Sequence, residues 1–387
     1  MRILFFMPLA IRTGSEVALF NLITYAARSG RWQLGVVCPQ EGELLRELPE
    51  QVRVFVYKRW GALRKVYAGA RRRLGGGGEN QFFAAAHAEF RPDLWYVNTV
   101  VQTEVLRQAE RRGVACVLHT HELEQMLDRL PERDADLLVR APRLVVACSE
   151  TARKVFRVLG REDAIEVVYE TIDPARIKWS EEASREVRRG LKIGDETFVW
   201  AMTGTLDPNK NPARFAEVAA ELTRGGADVH FLWVGRGGSA YATFARERAR
   251  ALGVADRVSF VGERTGDYYD YLNAADGLCI TSYKESFSIV AAEAAHLGKP
   301  VVSFDCGGVA EIVREGMGEI VRSWNNSDLT AALARVMRGE AGFDARVGRE
   351  RVREFYVETQ GARWERLVSQ YFEKGAAGGR AAGGATG

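Results

Sequence analysis

Thirteen short apolar runs, separated by stretches with helical spacing, constrain this chain more than any other feature. In the first half they lie at 3–7, 34–38, 52–57, 94–97, 114–119, 144–148 and 165–169; in the second at 198–202, 230–234, 258–261, 278–281, 301–304 and 319–321. Apolar runs this short, without polar alternation, read as strands buried on both faces. Strands alternating with helices imply parallel sheets, and right-handed crossovers make those sheets doubly wound. A length of 387 residues is too great for one core. The pattern breaks at 172–195, where a charged segment interrupts it. The expected architecture is α/β, with two doubly wound, Rossmann-like domains facing an interdomain cleft. They would span 1–172 and 173–355, with a final helix at 356–373 crossing back to the first domain and a disordered Gly/Ala-rich tail at 374–387. In the final helix, Trp364, Leu367, Val368, Tyr371 and Phe372 space like a buried stripe. Ligands of such sheets sit beyond the carboxyl ends of the strands.

Composition narrows the function. A hydrophobic content of 47% and a charged content of 27% are those of a globular protein, and a net charge of +3 gives no electrostatic support for nucleic-acid binding. No apolar run reaches the roughly 18 residues that span a bilayer. The run at 3–11 is followed by Arg12, Gly14 and Glu16 without a small-residue cleavage site, so it reads as a first strand and not a signal peptide. Five widely spaced cysteines, each in or beside a strand-like run, read as reduced core residues and suggest a cytoplasmic location. The segment 58–78 holds seven basic residues and no acidic one, interleaved with Trp60, Leu63, Val66, Tyr67 and Leu74. It suits an amphipathic helix on an anionic membrane surface, with contact expected through 58–74, and equally a solvated helix.

The chemistry concentrates in Thr281-Ser-Tyr-Lys-Glu285-Ser-Phe-Ser-Ile-Val-Ala-Ala-Glu293-Ala. A helix is expected at 288–297, stopped by Gly298 and Pro300. Glu285 precedes it and Glu293 lies inside it, roughly 10 Å apart along the axis at the helical rise. Between them the helix start offers backbone N–H groups to an anion. Glutamates near helices are usually solvated. Glu293, however, is embedded in Ile289-Val-Ala-Ala-Glu-Ala-Ala-His-Leu, where a carboxylate is either costly or partnered. Carboxylate, anion seat and carboxylate suit a ligand with hydroxyls at both ends and phosphates in the middle, such as a nucleotide-sugar.

These residues, with Gly204-Thr-Leu-Asp-Pro-Asn-Lys210, Phe231-Leu-Trp-Val-Gly235, Phe260-Val-Gly262, Ala274-Ala-Asp276, Gly298-Lys-Pro-Val-Val302, Gly307-Gly308 and Ala310-Glu-Ile, carry a resemblance. The chain resembles the retaining GT-B glycosyltransferases with a glutamate–seven residues–glutamate motif, the family 4-like or group 1 enzymes. The likeness runs from Met1 to about Phe372. It is densest in the second half and rests in the first on Gly14-Ser-Glu16 and His119-Thr-His121-Glu122.

The resemblance implies roles. Glu293 bonds the ribose hydroxyls, and Glu285 meets the transferred sugar. Ser286, Phe287, Ser288 and Ile289 give backbone N–H groups to sugar and phosphate. Gly14 and Ser15 do the same from the first domain, Gly14 by allowing close backbone approach. Lys210, in the loop that opens with Gly204, holds the diphosphate and stabilises its departure. Many relatives carry an arginine where this chain has Thr205; Arg236 or Arg264 could replace it. Contacts to the donor base are expected around Gly262, Glu263 and Arg264. His121 is placed near the donor sugar and acceptor. His119, His121 and Glu122 together could suggest a metal site, but no third ligand at metal spacing is evident.

The implied reaction moves a sugar from a nucleotide diphosphate sugar to a hydroxyl of a glycan or lipid-linked glycan, with retention, as in cell-surface polysaccharide or glycolipid synthesis. No metal and no cofactor beyond the donor is implied. Two rivals remain: a nucleotide-sugar epimerase, for which no acid/base set is placed, and a non-catalytic nucleotide- or glycan-binding partner, which Thr205 favours.

Overall fold

A backbone buried on both faces must pair its N–H and C=O groups with other strands. In the computed structural model, which describes residues 1–56 and 77–373, every predicted apolar run contributes a strand. The first sheet contains β1 (Arg2–Phe6), β2 (Gln33–Cys38), β3 (Arg53–Val56), β4 (Leu94–Asn98), β5 (Ala115–Thr120), β6 (Leu144–Ala147) and β7 (Ile165–Val167). The second contains β8 (Phe198–Thr203), β9 (Val229–Val234), β10 (Val258–Gly262), β11 (Gly277–Ile280), β12 (Val301–Phe304) and β13 (Gly318–Val321). Their orders are β3-β2-β1-β4-β5-β6-β7 and β10-β9-β8-β11-β12-β13. All pairings are parallel. Both orders are those of doubly wound α/β sheets, and the central strands β4, β9, β11 and β12 are buried at every residue.

The boundaries differ from the apolar runs where side chains intervene. The run at 165–169 leaves its sheet after Val167, and the N–H of Tyr169 bonds Gln360 Oε1 at 3.0 Å. The expected helix at 288–297 is Ile289–His296, with Ser288 and Leu297 as its caps. All five cysteines are buried free thiols.

The chain divides into two compact units, Met1–Thr171 with Val357–Gly387, and Ile172–Tyr356. In the first unit the core gathers under β1, β2 and β4. The last helix, Val357–Phe372, inserts Trp364 into that core, its ring 5.5 Å from Trp32, 5.8 Å from Tyr96 and 6.2 Å from Phe5. Val368 is buried with it, while Leu367, Tyr371 and Phe372 are only partly covered. In the second unit Phe215, Phe231 and Trp233 pack edge to face between β9 and the Pro212–Arg224 helix.

The basic segment at 58–74 and the tail at 374–387 lie outside the described residues. Among the described residues no helix is long and apolar enough to cross a membrane.

Candidate functional site

In each sheet the strand order reverses once, between β1 and β4 and between β8 and β11. Crossovers leave on opposite faces there, so the loops at the carboxyl ends part and open a crevice. The predicted residues Gly14, Ser15, Gly204, Thr205, Lys210, Glu285 and Ser286 through Ile289 all follow strands that border these two reversals.

In the second unit the loops after β8 and β11 are stitched together. Thr281 Oγ1 donates to the carbonyls of Lys210 (3.0 Å) and Asn211 (3.2 Å). The N–H of Tyr283 donates to the Asn209 carbonyl, and the Asn209 side chain bonds the backbone of Lys284 in both directions. This brings Lys210 Nζ to both oxygens of Glu285, at 2.7 and 2.9 Å. Burial pulls the Lys210 ammonium down, but the facing Glu285 carboxylate more than offsets it and the net shift is upward. The backbone of Glu285 is fixed in turn by a parallel bridge to Gly307.

Two glycines make these approaches possible. A Cβ on Gly235 would lie 1.8 Å from the Gly204 carbonyl oxygen, and one on Gly308 would lie 2.2 Å from that of Ser286. Neither obstacle is a flexible side chain, so any larger residue would push one of the two loops out of place.

Ser288, which caps the following helix, sits at φ 96°. That value is unfavourable for a serine and persists only where the surroundings impose it. Its side chain makes no cap bond, and its buried Oγ has no hydrogen-bond partner. The first N–H groups of a helix have no partner within it; here the N–H of Ala291 turns to the Ser288 carbonyl at 3.1 Å, and the capping side chain leaves those of Ile289 and Val290 uncovered. Phe287 is fully buried, with its ring 5.1 Å from Phe355, so only its backbone remains for ligand contact.

Glu293 is buried. Its two oxygens accept hydrogen bonds from Tyr268 (2.8 Å) and Tyr269 (2.9 Å), and Tyr268 also meets Thr203 Oγ1 at the end of β8. Burial raises the Glu293 carboxyl to about 7 against the pull of the two phenols and Arg176. Each carboxylate oxygen has a second lone pair, so two further donors, such as vicinal hydroxyls, could still be received.

Gly262 ends the outer strand β10, two strands from β8, and Glu263 and Arg264 follow it. Exposed Glu263 pairs with Arg236 (2.9 Å), while Arg264 lies over the Tyr271 ring at 4.5 Å. The Arg236 carbonyl accepts from the N–H of Leu206 and so anchors that arginine beside the Gly204 loop.

In the first unit His121 is buried, Ser15 is half-buried and Gly14 is exposed. Gly14 and Ser15 begin the Gly14–Ser29 helix. Ser15 Oγ donates to the buried Glu16, and the Ser15 carbonyl accepts from Asn98 Nδ2 at 3.3 Å. The ring of His121, just beyond β5, lies between Asn98 Oδ1 at 2.9 Å from Nε2 and Glu170 Oε1 at 2.9 Å from Nδ1. Burial pulls the imidazole down; the hydrogen bond and charge of Glu170, with Glu122 and Glu16, reverse this to a net rise. His119 shares its Nδ1 with Tyr96, and burial and the His121 charge hold it well below its usual value.

His119, His121 and Glu122 do not gather into a metal-type cluster among the described residues. Glu122 turns to the backbone N–H groups of His121 (2.9 Å) and Val100 (3.3 Å) and so braces the loop. The ligand-type atoms that do converge, within 4.8 Å, belong to His121, Cys148 and Glu170. In this arrangement both His121 nitrogens face oxygen acceptors, Nδ1 the Glu170 carboxylate and Nε2 the Asn98 amide.

Sequence reasoning missed Asn98, Glu170, Thr203, Tyr268 and Tyr269. The first three carried a usable signal, since each directly follows a predicted apolar run, where doubly wound sheets place ligand-facing groups. The tyrosine pair carried no such signal, since it does not directly follow a predicted run.

Comparison with solved structures places this architecture in the GT-B class. Sucrose-phosphate synthase from Thermosynechococcus elongatus superposes with a TM-score of 0.80 at 19% identity, covering 96% of this chain and 99% of that one. HepE of Anabaena, solved in complex with UDP-glucose, gives 0.79 at 22% identity, covering 96% and 100%. Residues 12–176 match the family described as Glycosyltransferase Family 4, and residues 183–352 match Glycosyl transferases group 1. The chain belongs to this family 4-like, group 1 glycosyltransferase family. Among curated relatives, the D-inositol 3-phosphate glycosyltransferase of Nocardia farcinica is 32% identical over 217 residues, 53% of this chain and 47% of that protein. That of Salinispora tropica is 33% identical over 241 residues, 55% and 49%. The chain spans about half the length of the curated relatives it matches.

Proposed function

We propose that this chain is a retaining glycosyltransferase that moves a sugar from a nucleotide diphosphate sugar to a hydroxyl acceptor. The observation that carries the reading is the buried carboxylate of Glu293, just over one turn into a helix whose strained cap residue Ser288 lies three residues beyond the Lys210–Glu285 pair. Glu293 receives the ribose hydroxyls. The backbone at 286–289 and the Lys210 ammonium take the diphosphate, and Glu285 takes the sugar hydroxyls. Lys210 is charged before the donor arrives and can stabilise the leaving phosphate without reorganising. The leaving phosphate accepts the proton of the attacking hydroxyl on the same face, which preserves the anomeric configuration. Gly14, Ser15 and His121 act on the sugar and acceptor side. Arg236, anchored beside Thr205, is the second cation on the diphosphate. Gly262, Glu263 and Arg264 meet the base. Positive charge from Lys210 and the helix start replaces a metal, so activity should persist in EDTA.

UDP-glucose, present in the HepE structure, is the first donor to test. For the acceptor we favour a glycan or lipid-linked glycan used in cell-surface synthesis on the cytoplasmic side, with peripheral membrane contact through 58–74. The names of the curated relatives add D-inositol 3-phosphate to the acceptor panel. Incubation of the purified protein with a broad set of donors and acceptors, with product analysis, tests the reading. Nucleotide binding without any transfer product would replace it with a non-catalytic binding role. Sedimentation with anionic liposomes, repeated with Arg71, Arg72 and Arg73 neutralised, tests the membrane contact; unchanged binding would remove it.

A further inference from the structure

His121 sits between two groups that both ask it for a proton. Asn98 Nδ2 donates to the Ser15 carbonyl, which turns Asn98 Oδ1, a pure acceptor, toward His121 Nε2. The opposite amide orientation would set two oxygens against each other at Ser15. On the other side of the ring, the buried Glu170 presents an oxygen to Nδ1 at 2.9 Å. A neutral imidazole has one N–H and can satisfy only one of these acceptors.

We propose that Glu170 and Asn98 hold His121 as a doubly protonated imidazolium, so that its ring offers donors and never acts as a base. Glu170 is the positioning residue, and the network ties the ends of β4 and β5 to the first turn of the Gly14–Ser29 helix. The charged and titratable groups around the ring agree. Glu122 and Glu16 add negative charge, while His119, with its ring centroid 4.2 Å away, stays neutral and adds none. Cys148 completes the surroundings.

The role of His121 in turnover rests on the glycosyltransferase reading; its protonation does not, so the two can fail separately. Nitrogen NMR of the 15N-histidine-labelled full chain, with the signals assigned by their loss in His121→Gln, should show both His121 nitrogens protonated at pH 7. In Glu170→Gln the titration midpoint should fall by about one pH unit, a tenfold change in protonation ratio. Asn98→Asp should keep it at or above the wild-type value. A neutral ring at pH 7 in wild type, or an unmoved midpoint in Glu170→Gln, would overturn the proposal. So would stoichiometric Co²⁺ binding with a thiolate absorption band lost in Cys148→Ser, because a ligating nitrogen cannot keep its proton. The wild-type spectrum alone decides, even if Glu170→Gln folds poorly. If an active donor is found, the alkaline fall in kcat should move down with the Glu170→Gln midpoint while donor KM stays constant. A profile that does not move would sink the positioning role even with an imidazolium present.

Discussion

The two sheets share a strand order around their reversal points, yet their carboxyl ends carry opposite kinds of polar site. In the second unit the ionisable groups come from two continuous stretches. They keep spare capacity: lone pairs on Glu293, a charged Lys210, and an uncapped helix start. In the first unit Ser15, Asn98, His121 and Glu170 come from four separate segments, and each of these contacts is made within the protein. The same topology thus serves one end whose polar groups keep open capacity and one whose polar side chains are bonded to one another. A polar network satisfied internally rigidifies its surroundings; one with open capacity binds.

The largest expected effect lies in the second unit. Lys210→Ala removes the cation proposed to meet the leaving diphosphate and should lower kcat by about 10²- to 10³-fold, the usual loss for one preorganised transition-state partner. Steady-state kinetics with an active donor checks this. A loss below about tenfold would mean that another cation carries the charge, and the contrast between the two ends would weaken.

Glu293 sharpens the comparison in two ways. Glu293→Gln keeps the shape but not the proton equilibrium. The folded protein holds this proton better than an unfolded carboxyl does, so the stability it contributes is fully present below about pH 4.5 and is lost as pH rises through about 7. The separation corresponds to roughly 3 kcal/mol across that window. Urea unfolding of wild type minus Glu293→Gln, followed between pH 4.5 and 8, should show that fall, and a flat difference would contradict the burial argument. Nucleotide binding should run the other way. Hydroxyl donors favour the carboxylate, so affinity should rise with pH toward 7 and then level. At pH 7.5, Glu293→Ala should weaken nucleotide binding by about 10- to 100-fold, as the loss of one or two charge-assisted hydrogen bonds implies. Calorimetry measures both effects.

What the sequence made legible follows from the same contrast. Strands in these sheets announce themselves as apolar runs, so all thirteen described strands were found, including the outer β3, β10 and β13, which are only partly buried. Their ends were less certain, because a partner such as Gln360, 191 residues from Tyr169, decides where pairing stops. The second-unit site was readable because Gly204 to Lys210 and Thr281 to Glu293 are each continuous. Its tyrosines were not, since Tyr268 and Tyr269 look apolar until the structure shows the carboxylate they meet. The first-unit network joins residues up to 83 positions apart (Ser15 to Asn98), and spacing cannot reveal pairs of that kind. His121 was found by resemblance, but neither Glu170 nor Asn98 was named beside it.

The smallest effect concerns the missing arginine. The Arg236–Glu263 pair is exposed on both sides, and such pairs contribute about 0–1 kcal/mol to folding. Arg236→Ala should therefore leave the melting temperature nearly unchanged. If Arg236 supplies the charge that Thr205 lacks, the same substitution should raise donor KM or lower kcat by about 3- to 30-fold, as loss of one solvent-screened phosphate contact would. Arg264→Ala is the internal control. That side chain packs on the Tyr271 ring and pairs with Asp267 and is proposed to meet the donor base, so its loss should lower stability and raise donor KM while leaving kcat nearly unchanged. If the two variants exchange behaviours, the second cation lies on the β10 side of the sheet, and the loop anchored by the Arg236 carbonyl serves only to hold Gly204 in place.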